Sequence, residues 1–186
     1  MPRRAAALAA GWPFLLLELM HSGRQGPIHV IGPAGAQVFL RDMMLLGGVP
    51  DVLGEAHRSL DFRYVEVDGN WQQADGLRFR AVEVDHVAHL ECYGYLFDRD
   101  GRTIGYSGDT QPCAGLVELA GASHTLVLEC NGRQPMPTHM DVSSVRALAE
   151  RFPAVQLVLT HLGPDVESLD FPNAIVPDDL QTVTDL

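Results

Sequence analysis

The sequence predicts an α/β sandwich, on three observations. Strand-like apolar runs outnumber helical ones. A DRDG turn joins two of those runs directly, which requires antiparallel pairing. Helices are interleaved mainly in the second half of the chain, so a strictly parallel sheet is not the expected architecture. The 186 residues favour one domain spanning 1–186, with length enough for a buried core.

The elements follow in order. Trp12–His21 reads as a helix with Pro13 in its first turn, where the missing N–H does no harm. PIHVIG (27–32) is a short strand. Gly35–Leu46 reads as a helix stopped by Gly47-Gly48. FRYVEV (62–67) and LRFRAVEV (77–84) alternate as strands do, with a turn at Gly69-Asn70 between them. CYGYLFD (92–98) and RTIGYS (102–107) form a hairpin. AGLVELAG (114–121) is a short helix and HTLVLEC (124–130) a buried strand. Asp141 is a suitable N-cap for a helix running to about Phe152, with Val142, Val145, Leu148 and Ala149 at helical spacing. VQLVLTHLG (155–163) is an apolar strand ending in histidine. One more short strand is expected in the tail from about Asn173.

Composition narrows the function. Hydrophobic residues make up 46% and charged residues 20%, ordinary for a globular protein, but the net charge is −11. A chain that grips a phosphate backbone needs clustered Lys and Arg; the only adjacent basic pair is Arg3-Arg4. Three widely spaced cysteines without a CxxC argue against a disulfide framework and for a reducing, cytoplasmic compartment. MPRRAAALAAGWPFLLLELM has the basic-then-apolar form of a secretory signal. Against that, Pro13 and Glu18 interrupt the run and no clean small-x-small cleavage site follows. The run is also too short to span a bilayer, so no membrane partner is expected.

The chemistry collects at strand ends. AVEVDH ends on His86, IGYSGD on Asp109 and LVLTH on His161, while His139 sits just before a helix start in PTHMDVSS. Imidazole nitrogens and carboxylate oxygens are the usual zinc donors at catalytic sites. A carboxylate can also bridge two metals about 3.5–4 Å apart. Glu129, which ends a buried strand, reads either as a supporting acid or as a satisfied core group. His21, His29, His57 and His124 read as structural. A serine nucleophile at Ser107 is disfavoured, because GYSGD lacks the second glycine of a nucleophile elbow and Pro112 delays the helix that should follow.

Taken in order, AVEVDH, ECYGYLFD, GRTIGYSGDTQPC, HTLVLEC, THMDVSSVRALAERF and LVLTHLG resemble the metallo-β-lactamase fold, in its ribonuclease Z and phosphodiesterase-like branch. GWPFLLLEL (11–19) and GPIHVIGPAG (26–35) resemble the stretch that follows the family's main metal motif. The resemblance implies an αββα sandwich and a hydrolase with two zinc ions. It implies that Asp109 bridges the metals, that His86 ligates one and His161 the other, and that His139 helps protonate the leaving group. His89 is an alternative to His86, because the spacing to the YGY aromatics is slightly long. The implied reaction is attack on a phosphodiester or small ester by a metal-activated hydroxide.

The family's His-x-His-x-Asp-His motif is not found in the sequence; its place holds MPRRAAALAA. The expectation is therefore a sandwich incomplete at the N-terminus, through a misplaced start, a frameshift or a truncated gene. Zinc binding should be weak, with two ligands left per metal, and turnover little or none. Ribonuclease Z proteins also carry a long insertion that grips transfer RNA, and here its place holds only the DRDG turn. A small-molecule ester or phosphodiester is thus the expected substrate, with transfer RNA disfavoured. A homodimer is left open. The competing reading is a non-catalytic binding module or pseudoenzyme derived from the same fold.

Overall fold

The computed structural model describes residues 3–4, 11–48, 50–166, 169, 171–178 and 180–183. Most of MPRRAAALAA, which stands in place of the metal motif and begins the stretch with the form of a secretory signal, lies outside the described residues. Contacts gather the chain into two compact units, Arg3–Asp68 and Gly69–Leu186. Among the described residues no helix is long and apolar enough to cross a membrane.

The first unit contains β1 (Arg3–Arg4), α1 (Trp12–His21), β2 (Ile28–Gly32), α2 (Ala36–Leu46), α3 (Pro50–Ser59) and β3 (Phe62–Glu66). β2 and β3 pair in parallel, from Ile28 opposite Phe62 to Gly32 opposite Glu66. Its core is small: Trp12, Leu16, Leu40, Met44 and Ala56, with Val30, Phe62 and Tyr64 packed against them. α3 was not evident from sequence, because Gly54 and a polar composition blur its period. Its signals are Asp51 in the first turn with His57 and Arg58 in the last, which complement the helix dipole.

The second unit carries β4 (Gln72–Ala74), β5 (Leu77–Val84), β6 (Leu90–Arg99), β7 (Arg102–Tyr106), α4 (Ala114–Ala122), β8 (Thr125–Glu129), α5 (Val142–Arg151), β9 (Gln156–Thr160) and β10 (Ala174–Ile175). These strands lie in the order β10-β9-β8-β7-β6-β5-β4. β4 to β7 pair antiparallel, and β7 to β10 pair in parallel. The sheet is therefore mixed, as expected, and the strand in the tail is β10. β4, only three residues long, was not foreseen; Asp75 and Gly76 turn it back onto β5 with positive φ at both.

Two features of this sheet position the chemistry. Because β6 runs opposite to both its neighbours, β5 and β7 point the same way, and β8 and β9 follow β7. Together with β10, which is parallel to β9, five strands thus deliver their C-terminal ends to one edge. The crossovers β7-α4-β8 and β8-α5-β9 both step the same way along the sheet, so α4 and α5 lie on one face. There Leu116, Leu119, Val145 and Leu148 bury against Leu126, Leu128, Leu157 and Leu159. A buried Leu of this kind is worth roughly 1.5–3 kcal/mol. The core thereby fixes where each strand ends.

Candidate metal centre

His86, Asp109, His139 and His161, the four residues singled out in the sequence, come together beyond that edge. Asp109 follows β7 through Ser107 and Gly108. Gly108 has φ +60°, and a Cβ there would press on the Tyr93 carbonyl at 3.3 Å. The glycine is a turn requirement; the acid it presents faces the cluster. Ser107 is buried, its hydroxyl donating to the Gly108 carbonyl at 2.7 Å and accepting from the Glu129 N–H at 3.4 Å. Its surroundings are those of a structural residue and not of a serine nucleophile.

His86 lies two residues past β5. Its Nδ1 is 2.8 Å from the carbonyl of Thr138. A carbonyl only accepts, so Nδ1 carries the hydrogen and Nε2 keeps its lone pair in the neutral ring. That Nε2 lies 4.0 Å from Oδ2 of Asp109. His89 is exposed in the turn between β5 and β6. The His86 and His139 rings meet edge-on, centroids 4.9 Å apart, and the His139 and His161 rings stack at 5.6 Å.

Backbone strain is concentrated here. Thr138 has φ +72° and His161 φ +49°, a region that costs a non-glycine residue of order 1–3 kcal/mol. At Thr138 the unusual turn delivers the carbonyl to His86. At His161 it re-aims the side chain directly after β9. The segment that follows is held close: a Cβ at Gly163 would collide with the Asn131 carbonyl, and the Gly163 N–H donates to the Cys130 carbonyl at 3.3 Å.

Glu129 is paired with the cluster, so of its two sequence readings the supporting acid holds. Its carboxylate meets Nδ1 of His139 at 2.9 and 3.1 Å and accepts from the Thr110 N–H at 2.6 Å. Only 1% of the side chain is exposed. Burial raises its pKa, opposed by the hydrogen bonds from Thr110 and His139. The carboxylate accepts the Nδ1 hydrogen, so Nε2 of His139 is the nitrogen left with a lone pair. The available signal in the sequence was an acid closing an otherwise apolar buried strand.

A divalent cation fits these residues. One donor atom each from Asp109, His139 and His161 lies within 4.8 Å of the other two. Two imidazoles and a carboxylate suit zinc and other borderline first-row metals. The hydrogen bonds on Nδ1 of His86 and His139 are the outer partners that orient histidine ligands at metal sites. The three cysteines are unpaired. Burial, with the Asp141, Glu129 and Asp165 carboxylates nearby, pushes the Cys130 thiol up to about 11, so it stays a thiol at neutral pH.

The mixed sheet, its one-sided helices and the histidine–carboxylate cluster at the strand ends define a metallo-β-lactamase-type hydrolase fold. The chain belongs to the beta-lactamase superfamily, whose domain matches residues 15–162, and lies in its ribonuclease Z-like branch. It is 34% identical to ribonuclease Z of Methanosarcina mazei over 234 aligned residues, covering 91% of this chain and 74% of that protein. It is 28% identical to ribonuclease Z of Mycobacterium avium, covering 87% of this chain and 72% of that one. The fold is similar to that of the metallo-β-lactamase fold protein YhfI from Bacillus subtilis, with a TM-score of 0.63 at 14% identity. That match covers 87% of this chain and 62% of the Bacillus chain. Members of the family are hydrolases.

Proposed function

We propose that the cluster is a metal-dependent hydrolytic site acting on a phosphodiester or small ester. The observation that supports this most is the convergence of Asp109, His139 and His161, with His86 beside Asp109, at one edge of one sheet. Asp109, His161 and His86 hold the cation in this reading. A bound divalent ion supplies a water acidified towards neutral pH and positive charge for the developing anion. The chain's own groups do the rest. His139 carries a proton to the leaving oxygen from Nε2, and Glu129 keeps that ring in the right tautomer and balances its charge as it protonates. The hydrogen bonds on His86 and Glu129 set the site before substrate arrives.

Transfer RNA is the substrate class that the names of the relatives raise. Against it stand the net charge of −11 and the two-residue turn at Asp100-Gly101 between β6 and β7. The proposed substrate is therefore a small phosphodiester or ester. The test is hydrolysis of bis(p-nitrophenyl) phosphate, a lactone and a precursor transfer RNA by zinc-loaded protein, with and without a chelator. Chelator-sensitive turnover of either small substrate supports the reading. Turnover of the RNA alone overturns the substrate class, and chelator-resistant turnover overturns the metal. The competing reading, a binding module, predicts metal uptake or none with no turnover of any of the three.

A further inference from the structure

We infer that a single divalent ion entering this cluster is held by Asp109, His139 and His161, so that His139 is a ligand, and not a free proton carrier, in the one-ion state. The inference rests on the reading that the cluster binds metal, and adds how occupancy controls it. Three observations carry it. Asp109, His139 and His161 form a mutually close three-donor set, the number of protein ligands a catalytic zinc normally has. His86 stands outside that set: its Nε2 lies 4.0 Å from Asp109, but among the described residues its ring does not join Asp109 with His139 or His161 in a mutually close group of three. The Nδ1 of His139 is held by a buried carboxylate, which leaves Nε2 as the lone-pair nitrogen. The same bond raises that nitrogen's basicity, as outer carboxylates do for histidine ligands.

The consequence is a form of self-inhibition. While one ion sits on Nε2 of His139, that nitrogen has no proton to give, and Glu129 supports a ligand instead of an acid. Release of His139 requires His86 to take over as a donor beside Asp109. Metal binding should then saturate before turnover does.

The test is zinc titration of the whole chain by calorimetry, with His139→Gln, His161→Gln and His86→Gln alongside and circular dichroism to confirm folding. The expected result is a first, tighter site in wild type, weakened at least tenfold by His139→Gln and by His161→Gln and less than threefold by His86→Gln. A second measurement does not depend on variants folding. In long-range ¹H–¹⁵N spectra of the wild-type chain, one equivalent of zinc should shift the His139 and His161 Nε2 resonances and leave His86 unmoved. Loss of binding in His86→Gln, with binding kept in His139→Gln, would overturn this inference and leave the proposed function standing. A folded wild-type chain that takes up no zinc would overturn both.

Discussion

The two edges at which the strands β4 to β10 begin and end carry histidines with opposite fates. At the edge where β6 turns into β7, connections are short and self-satisfied. Asp100 and Gly101, with φ +55° and +83°, close the hairpin in two residues, and the Gly101 N–H donates to Asp98 at 3.1 Å. His124, just before β8, accepts the Thr103 N–H on Nδ1 at 3.1 Å, a backbone role. At the other edge the segments after β5, β7, β8 and β9 are longer, and the histidines face one another and a carboxylate. The lesson is that residue type marks a candidate, while the direction of the strand before it decides whether it meets partners. Loops on the delivering edge of a rigid sheet are where function collects.

The comparison can be broken from the delivering edge first. His161→Ala should lower metal-dependent hydrolysis by at least the ~100-fold that loss of an outer partner can reach, since it removes a donor itself. The measurement is kcat at saturating metal, with the far-ultraviolet spectrum unchanged. Glu129→Gln should lower kcat by about 10–100-fold with little change in KM, because it leaves His139 in place and removes only its charged partner. The pH–rate profile separates this from a packing defect: the variant should lose the limb assigned to the proton carrier.

Smaller effects sharpen the contrast. Asp141 caps α5, accepting from the Ser144 N–H at 2.9 Å, and Asp141→Ala should cost about 1 kcal/mol in urea denaturation. Burial works to raise its pKa, but hydrogen bonds from Ser143 and Ser144 outweigh this and hold it below 3.8. A carboxylate with a depressed folded pKa contributes fully above its unfolded value and loses that contribution as pH falls through the folded one. Wild type should therefore lose stability in the range below pH 3.8, and Asp141→Asn should lose less there. At the quiet edge, His124→Ala should cost only about 0.5–1.5 kcal/mol, the net worth of one hydrogen bond. It should leave zinc affinity unchanged; a fall there would erase the distinction between the edges.

Much of this was legible in the sequence, for reasons that differ by region. α5 could be read because Asp141 and the apolar spacing behind it agree. The β6–β7 hairpin could be read because DRDG has few other uses. α3 could not, because Gly54 breaks its pattern and its packing on residues such as Phe62 is a tertiary effect. At the site, the strand-end donors His86, Asp109 and His161 stood out because strands rarely need to end on such groups. The Glu129–His139 pair did not. Ten residues separate them, and the loop that folds one back on the other is held by long-range bonds, Asn131 N–H to the Met140 carbonyl at 2.9 Å among them. Nor could spacing show that His139 lies as close to Asp109 and His161 as a third ligand would.

The central claim is that the delivering edge holds a divalent cation. Elemental analysis of purified, monodisperse protein, wild type beside Asp109→Ala, tests it most directly. One or two metal ions per wild-type chain, lost in the folded variant, is the predicted result. Equal metal content in the two, or none in a well-folded wild type, would contradict the account.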